Sequence, residues 1–81
     1  MSKEKEVMTD AQLKKSIRSL KKLADMMGSY YQISKALGIA GQNVYGWVKG
    51  TRYIPPKHLI QLCRLSGHTL QMKDFRPDLD L

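Results

Sequence analysis

Cysteine occurs once in the 81 residues, at position 63, and histidine twice, at 58 and 68. An internal disulfide is therefore excluded, as is a four-ligand zinc site with the usual His and Cys spacing. No apolar run approaches the ~18 residues that cross a bilayer, and Met1 to Val7 is charged where a signal peptide would be apolar. The expectation is a cytoplasmic protein with no metal and no cofactor, held together by packing alone. Its length supports one small core and no second one. There is neither an internal repeat nor a low-complexity segment.

Acidic residues are equally scarce where they would matter. Between residues 11 and 73 the only acid is Asp25, set against Lys14, Lys15, Arg18, Lys21, Lys22, Lys35, Lys49, Arg52, Lys57, Arg64 and Lys73, a net +10 for that stretch. Both ends are acidic on balance, which brings the whole chain down to +7. Concentrating like charge on a compact domain works against folding, so the composition points to a polyanionic partner.

The apolar pattern is helical for most of the chain. Thr9 and Gln12 have capping-box spacing, and Leu13, Ile17, Leu20, Ala24 and Met27 then recur at intervals of four and three. A helix over 10–27 follows, with Lys14, Lys15, Arg18, Lys21 and Lys22 on its opposite side. Gly28 stops it, and Ser29 with Gln32 repeats the capping spacing for a short second helix ending at Gly38. Val44, Trp47 and Val48 mark a third helix that Gly50 closes, and Pro55 and Pro56 suit the first turn of a fourth, whose buried face is Leu59, Leu62 and Cys63. These four helices are expected to complete the core by Gly67. Leu70 and Met72 alternate with polar neighbours, which predicts a short strand or extended tail over 68–81 that could pair across a two-fold axis. The expected organisation is a flexible arm over 1–9, a helical domain over 10–67 and that terminal segment.

Helix, glycine turn, helix is the arrangement that presents a second helix to the DNA major groove. Gly38 would supply the turn, Ser34 the close approach of the two helices, and Ile33, Leu37, Ile39, Val44 and Trp47 the wedge between them. Gln42, Tyr45, Gly46 and Lys49 then point outward from the third helix, with Asn43 at the edge, and are the candidate base-reading residues. Gln and Asn can pair bidentately with adenine, Lys can reach guanine, and Tyr can lie on a thymine methyl. An outward glycine inside a helix costs about 1 kcal/mol relative to alanine, so Gly46 suggests backbone close to DNA. Candidate phosphate contacts are Ser29, Tyr31 and Gln32 at the start of the second helix, and Thr51, Arg52, Tyr53 and Lys57 after the third.

The run Tyr31 to Ile39 with Val44, Trp47 and Gly50, then Arg52, Ile54 and Pro55, then Gly67 and finally Arg76, Pro77 and Asp78, resembles the Cro-like phage repressors and the similar YdaS-type antitoxin regulators. The resemblance begins at Leu20 and leaves out the basic turns before it. It implies a mainly all-α, four-helix repressor-like domain that occupies a double-stranded DNA operator as a homodimer. In the antitoxin case it implies a protein that also binds a toxin partner and regulates its own promoter. An enzyme would require His58, Cys63 and His68 to converge, and their spacing gives no reason to expect that.

Overall fold

The computed structural model describes residues 8–79. Helix α1 spans Asp10–Met27, α2 Tyr30–Leu37 and α3 Gly41–Lys49; a 3₁₀ turn at Pro56–His58 leads into α4, Leu59–Leu65, and α5 is Met72–Phe75. The capping box of α1 forms as its spacing predicts: Thr9 Oγ1 accepts from the Gln12 amide at 3.2 Å, and the Thr9 amide donates to Gln12 Oε1 at 2.9 Å. Helix α2 is capped by Ser29, whose hydroxyl accepts from the Gln32 amide at 3.3 Å. Gly38 follows it at φ 70°, ψ 32°, the left-handed conformation that turns the chain abruptly towards α3.

Leu20, Leu23 and Ala24 of α1, Ile33 of α2, Val44 and Trp47 of α3, Ile54, and Leu59, Leu62 and Cys63 of α4 form one core. Leu37 and Ile39 pack partly buried against it. Helix α1 buries a stripe slightly rotated from the predicted one, centred on Leu20 and Leu23 and including Ser16 and Ser19. The serines were invisible to an apolar count. Ser19 earns its burial because its hydroxyl lies 2.9 Å from both the Lys15 and Asp74 carbonyl oxygens, tying α1 to α5.

The C-terminal segment corrects the expectation of a strand. No strand occurs among the described residues, and 72–75 form a fifth helical turn. Gly67 and His68 both have positive φ, 65° and 63°, which bends the chain back at once. Ser66 Oγ then accepts from the Leu70 amide at 3.0 Å, and the Gln71 amide donates to Asp74 Oδ2 at 2.8 Å, so the backbone groups a strand would pair are satisfied locally. The helical turn points both Leu70 and Phe75 into the core, and Phe75 is wholly buried. The four helices therefore do not complete the core by themselves.

Immediately beyond lies a buried clamp. Arg76 Nε and Nη2 donate to the two carboxylate oxygens of Asp78, each at 2.8 Å, and Nη1 donates to the Ile54 carbonyl at 2.7 Å. Both charged side chains are 4% exposed. The guanidinium also lies over the Tyr53 ring, 5.2 Å from its centroid, and the Tyr53 hydroxyl accepts from the Met8 amide at 3.0 Å. Met8 is thus buried and Thr9 caps α1; residues 1–7 of the expected arm fall outside the described part.

Removing one partner of such a pair leaves the other charge buried alone, at a cost of about 3 kcal/mol or more. Asp78→Ala should therefore lower the unfolding free energy in urea by at least that amount. Hydrogen bonding from Arg76 holds the Asp78 carboxyl below its ordinary value of 3.8. A depressed carboxyl contributes stability in full above its unfolded value and loses it as pH falls through the folded one. The wild-type protein should lose this contribution below about pH 4, with a slope that Asp78→Asn shallows in a pH series of unfolding midpoints.

Candidate nucleic-acid interface

Helix α3 is fixed from behind by Val44 and Trp47, so Gln42, Tyr45 and Lys49 fall on the outer side and are exposed, with Asn43 partly so. Tyr45 is 58% exposed, and the Lys49 ammonium stands 4.8 Å above its ring. Ser34 is buried between α2 and α3, its hydroxyl donating to the Tyr31 carbonyl at 2.7 Å, and a Cβ on Gly41 would sit 3.9 Å from Ser34 Oγ. The two helices therefore approach closely enough for their exposed edges to merge. Tyr30 and Tyr31 of α2 and Gly41, Gln42 and Tyr45 of α3 line one shallow depression. Tyr31 is 63% exposed, and Lys35, one turn further along α2, lies 5.9 Å from its ring centroid. The sequence reading missed Lys35. Its spacing of four from Tyr31 on a predicted helix was the available signal.

Of the predicted phosphate contacts, Tyr31 lines this depression and Arg52 reaches Asn43 beside it, whereas Lys57 lines a separate one with Ile60, Gln61 and Arg64. Ser29, Tyr31 and Gln32 stand at the start of α2, where unpaired amides favour an anion. Thr51 and Arg52 follow α3, and Lys57 is exposed in the 3₁₀ turn. Thr51 also closes α3, its hydroxyl donating to the Gly46 carbonyl at 3.3 Å.

One orientation is corrected. Gly46 does not face outward: it is buried, and the covering group is the Arg52 side chain. A Cβ there would lie 3.1 Å from Arg52 Cδ and 3.2 Å from Cγ. The missing side chain is a seat for the arginine stem, which directs Nη1 to Asn43 Oδ1 at 3.3 Å. Gly46 thus lies under the Arg52 stem, with Arg52 and Asn43 together at the edge of α3. Tyr53, the remaining predicted phosphate contact, is partly buried, with its hydroxyl engaged by the Met8 backbone and its ring by Arg76.

Of the residues considered for catalysis, Cys63 and His68 line one groove with Ile60 and Leu70, and His58 lies against Trp47. Cys63 is buried in the core, and that burial, with Asp74 nearby, pushes its thiol above the ordinary value. His58 packs against Trp47 with ring centroids 5.7 Å apart; burial and the Lys57 charge lower its pKa from the ordinary value. Among the described residues no group of His, Cys, Asp and Glu could hold a metal ion, and no helix is long and apolar enough to cross a membrane.

A family model described as bacterial toxin YdaS matches residues 20–81. The chain belongs to the YdaS family. The match covers α2 to α5 and starts within α1, so YdaS-family sequence accounts for the helix pair, the Arg52 loop and the Arg76 clamp, but not for the first turns of α1. The description speaks of a toxin, whereas the sequence resemblance implied an antitoxin-type regulator. No curated protein and no solved structure matches the chain.

The seat formed by Gly46 is open to a direct test. Gly46→Ala gains up to about 1 kcal/mol of helix propensity and must push the Arg52 stem aside by a few tenths of an ångström. Urea unfolding should show a net change below that gain, while the Asn43 side-chain amide resonances shift as Arg52 Nη1 is displaced. A full gain with unshifted Asn43 resonances would show that Arg52 does not rest there.

Proposed function

We propose that this protein is a sequence-specific DNA-binding regulator that lays α3 in the major groove of an operator, in the manner of the Cro-like repressors. The observation that carries the reading is the exposed edge of α3. A helix held rigidly by its apolar back presents Gln42, Tyr45 and Lys49 in a row, with Asn43 and Arg52 joined at one side. The cations and helix start around it suit the phosphates on either side of a groove. Gln42 lies in the first turn of α3, the end that enters the groove in helix-turn-helix proteins, and is assigned to base contact. Asn43, Tyr45 and Lys49 complete the reading set; Ser29, Tyr31, Gln32, Thr51, Arg52 and Lys57 hold phosphate. One chain has one such helix, so a homodimer on a palindrome with half-sites one helical turn apart is the natural arrangement. The role is binding and involves no catalytic step.

A second reading is favoured by a different surface. Ile60, 57% exposed, opens a groove of about 480 Å³ with Cys63, His68, Leu70, Gln71, Met72 and Lys73. An apolar groove of this kind suits a partner protein, in keeping with a family described by a toxin. The two readings separate by salt dependence and by mutation.

Titration of duplex DNA should give an affinity that falls by a slope of several units in log K against log salt. Selection from random duplexes should recover two-fold symmetric sites. On the recovered site, Gln42→Ala should cost roughly 1 to 3 kcal/mol and relax preference at one base pair, whereas Arg52→Ala should weaken all sequences alike and shallow the slope by about one. Affinity for DNA that is independent of salt and of both substitutions would leave the partner-protein reading.

A further inference from the structure

The basic side of α1 takes no part in the interface just described. Leu20, Leu23 and Ala24 turn one side of the helix into the core, and Leu13 and Ile17 close against Gly50 at the end of α3. At 100° per residue Arg18, Lys21 and Lys22 project from the opposite side. Helix α3 for its part faces the core through Val44 and Trp47 and solvent through Gln42, Tyr45 and Lys49. The two surfaces share no residue: the cations of α1 line a groove separate from the depression lined by α2 and α3 and from the Asn43 and Arg52 pair.

That surface is a groove and not merely a row of charges. Lys15, Arg18, Lys21 and Lys22 of α1 line one wall, with Ser19 at its floor, and Thr69, Leu70 and Asp74 line the other; Asp25 stands at one end. The space between them is about 610 Å³. Asp74 engages Lys15 at 3.6 Å, and among the described residues the other cations of the groove have no ion-pair partner. From Lys15 to Lys22 the cations rise by about 10 Å along the helix, too spread for one small anion and suited to successive phosphates of a strand. A membrane surface would require an apolar stripe to insert, and the apolar side of α1 is committed to the core.

We propose that the groove between α1 and the 69–74 segment is a second, sequence-independent site for the phosphate backbone of duplex DNA. It lets one molecule hold a second duplex segment while α3 holds the first. The site rests on the DNA-binding reading for its biological setting, but uses none of the same residues. Lys15 and Arg18 lie before the matched family region, so the site is partly this chain's own addition to the family pattern.

A bridging experiment tests this with the full chain. A duplex carrying the selected site is immobilised, the protein is bound, and capture of a fluorescent duplex of scrambled sequence is measured at 50 and 200 mM salt. The wild type should capture the second duplex at the lower salt and at least tenfold less at the higher. Arg18→Gln, Lys21→Gln and Lys22→Gln together remove three exposed charges while keeping good helix formers, so the thermal midpoint should stay within a few degrees. This variant should capture at least tenfold less, with a salt slope for the second duplex lower by about three, while binding the immobilised duplex within threefold of wild type.

Equal capture by the variant would overturn the site, since bridging would then run through paired reading helices. A wild type that holds the immobilised duplex and captures nothing would overturn it as well, leaving the α3 reading intact. Binding to phosphatidylserine vesicles that the triple substitution abolishes, without any duplex capture, would overturn it in favour of a lipid surface. Conversely, groove-dependent retention of scrambled duplex with no preferred sequence would support this site and reject the reading helix.

Discussion

A buried guanidinium holds this small domain in register. Arg76 reaches back from the end of the chain to the Ile54 carbonyl, is neutralised by Asp78 and covers the Tyr53 ring, whose hydroxyl in turn receives the Met8 amide. Three parts of the chain distant in sequence thereby meet at residues 53 and 54, directly after the loop that carries Arg52. In a chain with one cysteine and no metal-ligand cluster among the described residues, this network does what a disulfide or zinc ion does in other small domains. Its desolvation cost is met by complete pairing: among the described residues no buried side-chain polar atom lacks a hydrogen-bond partner.

The consequence reaches the exposed edge of α3 through the loop. Thr51 closes the helix on the Gly46 carbonyl, and Arg52 folds over the Gly46 backbone towards Asn43. Arg52 stays exposed, with its stem over Gly46 and Nη1 3.3 Å from Asn43 Oδ1.

Much of this was legible in the sequence. The bounds of α1, the glycine turn at 38, the wedge of Ile33, Val44 and Trp47 and the outward set of Gln42, Tyr45 and Lys49 all follow from periodicity and capping, because those features are local. What escaped was nonlocal. Alternation at Leu70 and Met72 reads equally as a strand or as two residues either side of a tight turn, and only the Ser66 and Asp74 hydrogen bonds decide. Gly46 looked outward by angle, yet the angle could not reveal that a side chain six positions later would lie on it. Arg76, Pro77 and Asp78 were visible as a family signature, while their buried pairing depends on Ile54, 22 residues earlier.

The central claim is that α3 is the surface that meets DNA, and amide chemical-shift mapping with a selected duplex tests it most directly. The largest perturbations should fall on Gln42, Asn43, Tyr45 and Lys49, on the start of α2 and on Thr51 and Arg52, with the Ile60 and Met72 groove unchanged. Perturbations confined to the Ile60 and Met72 groove or to α1, with α3 silent, would contradict the account.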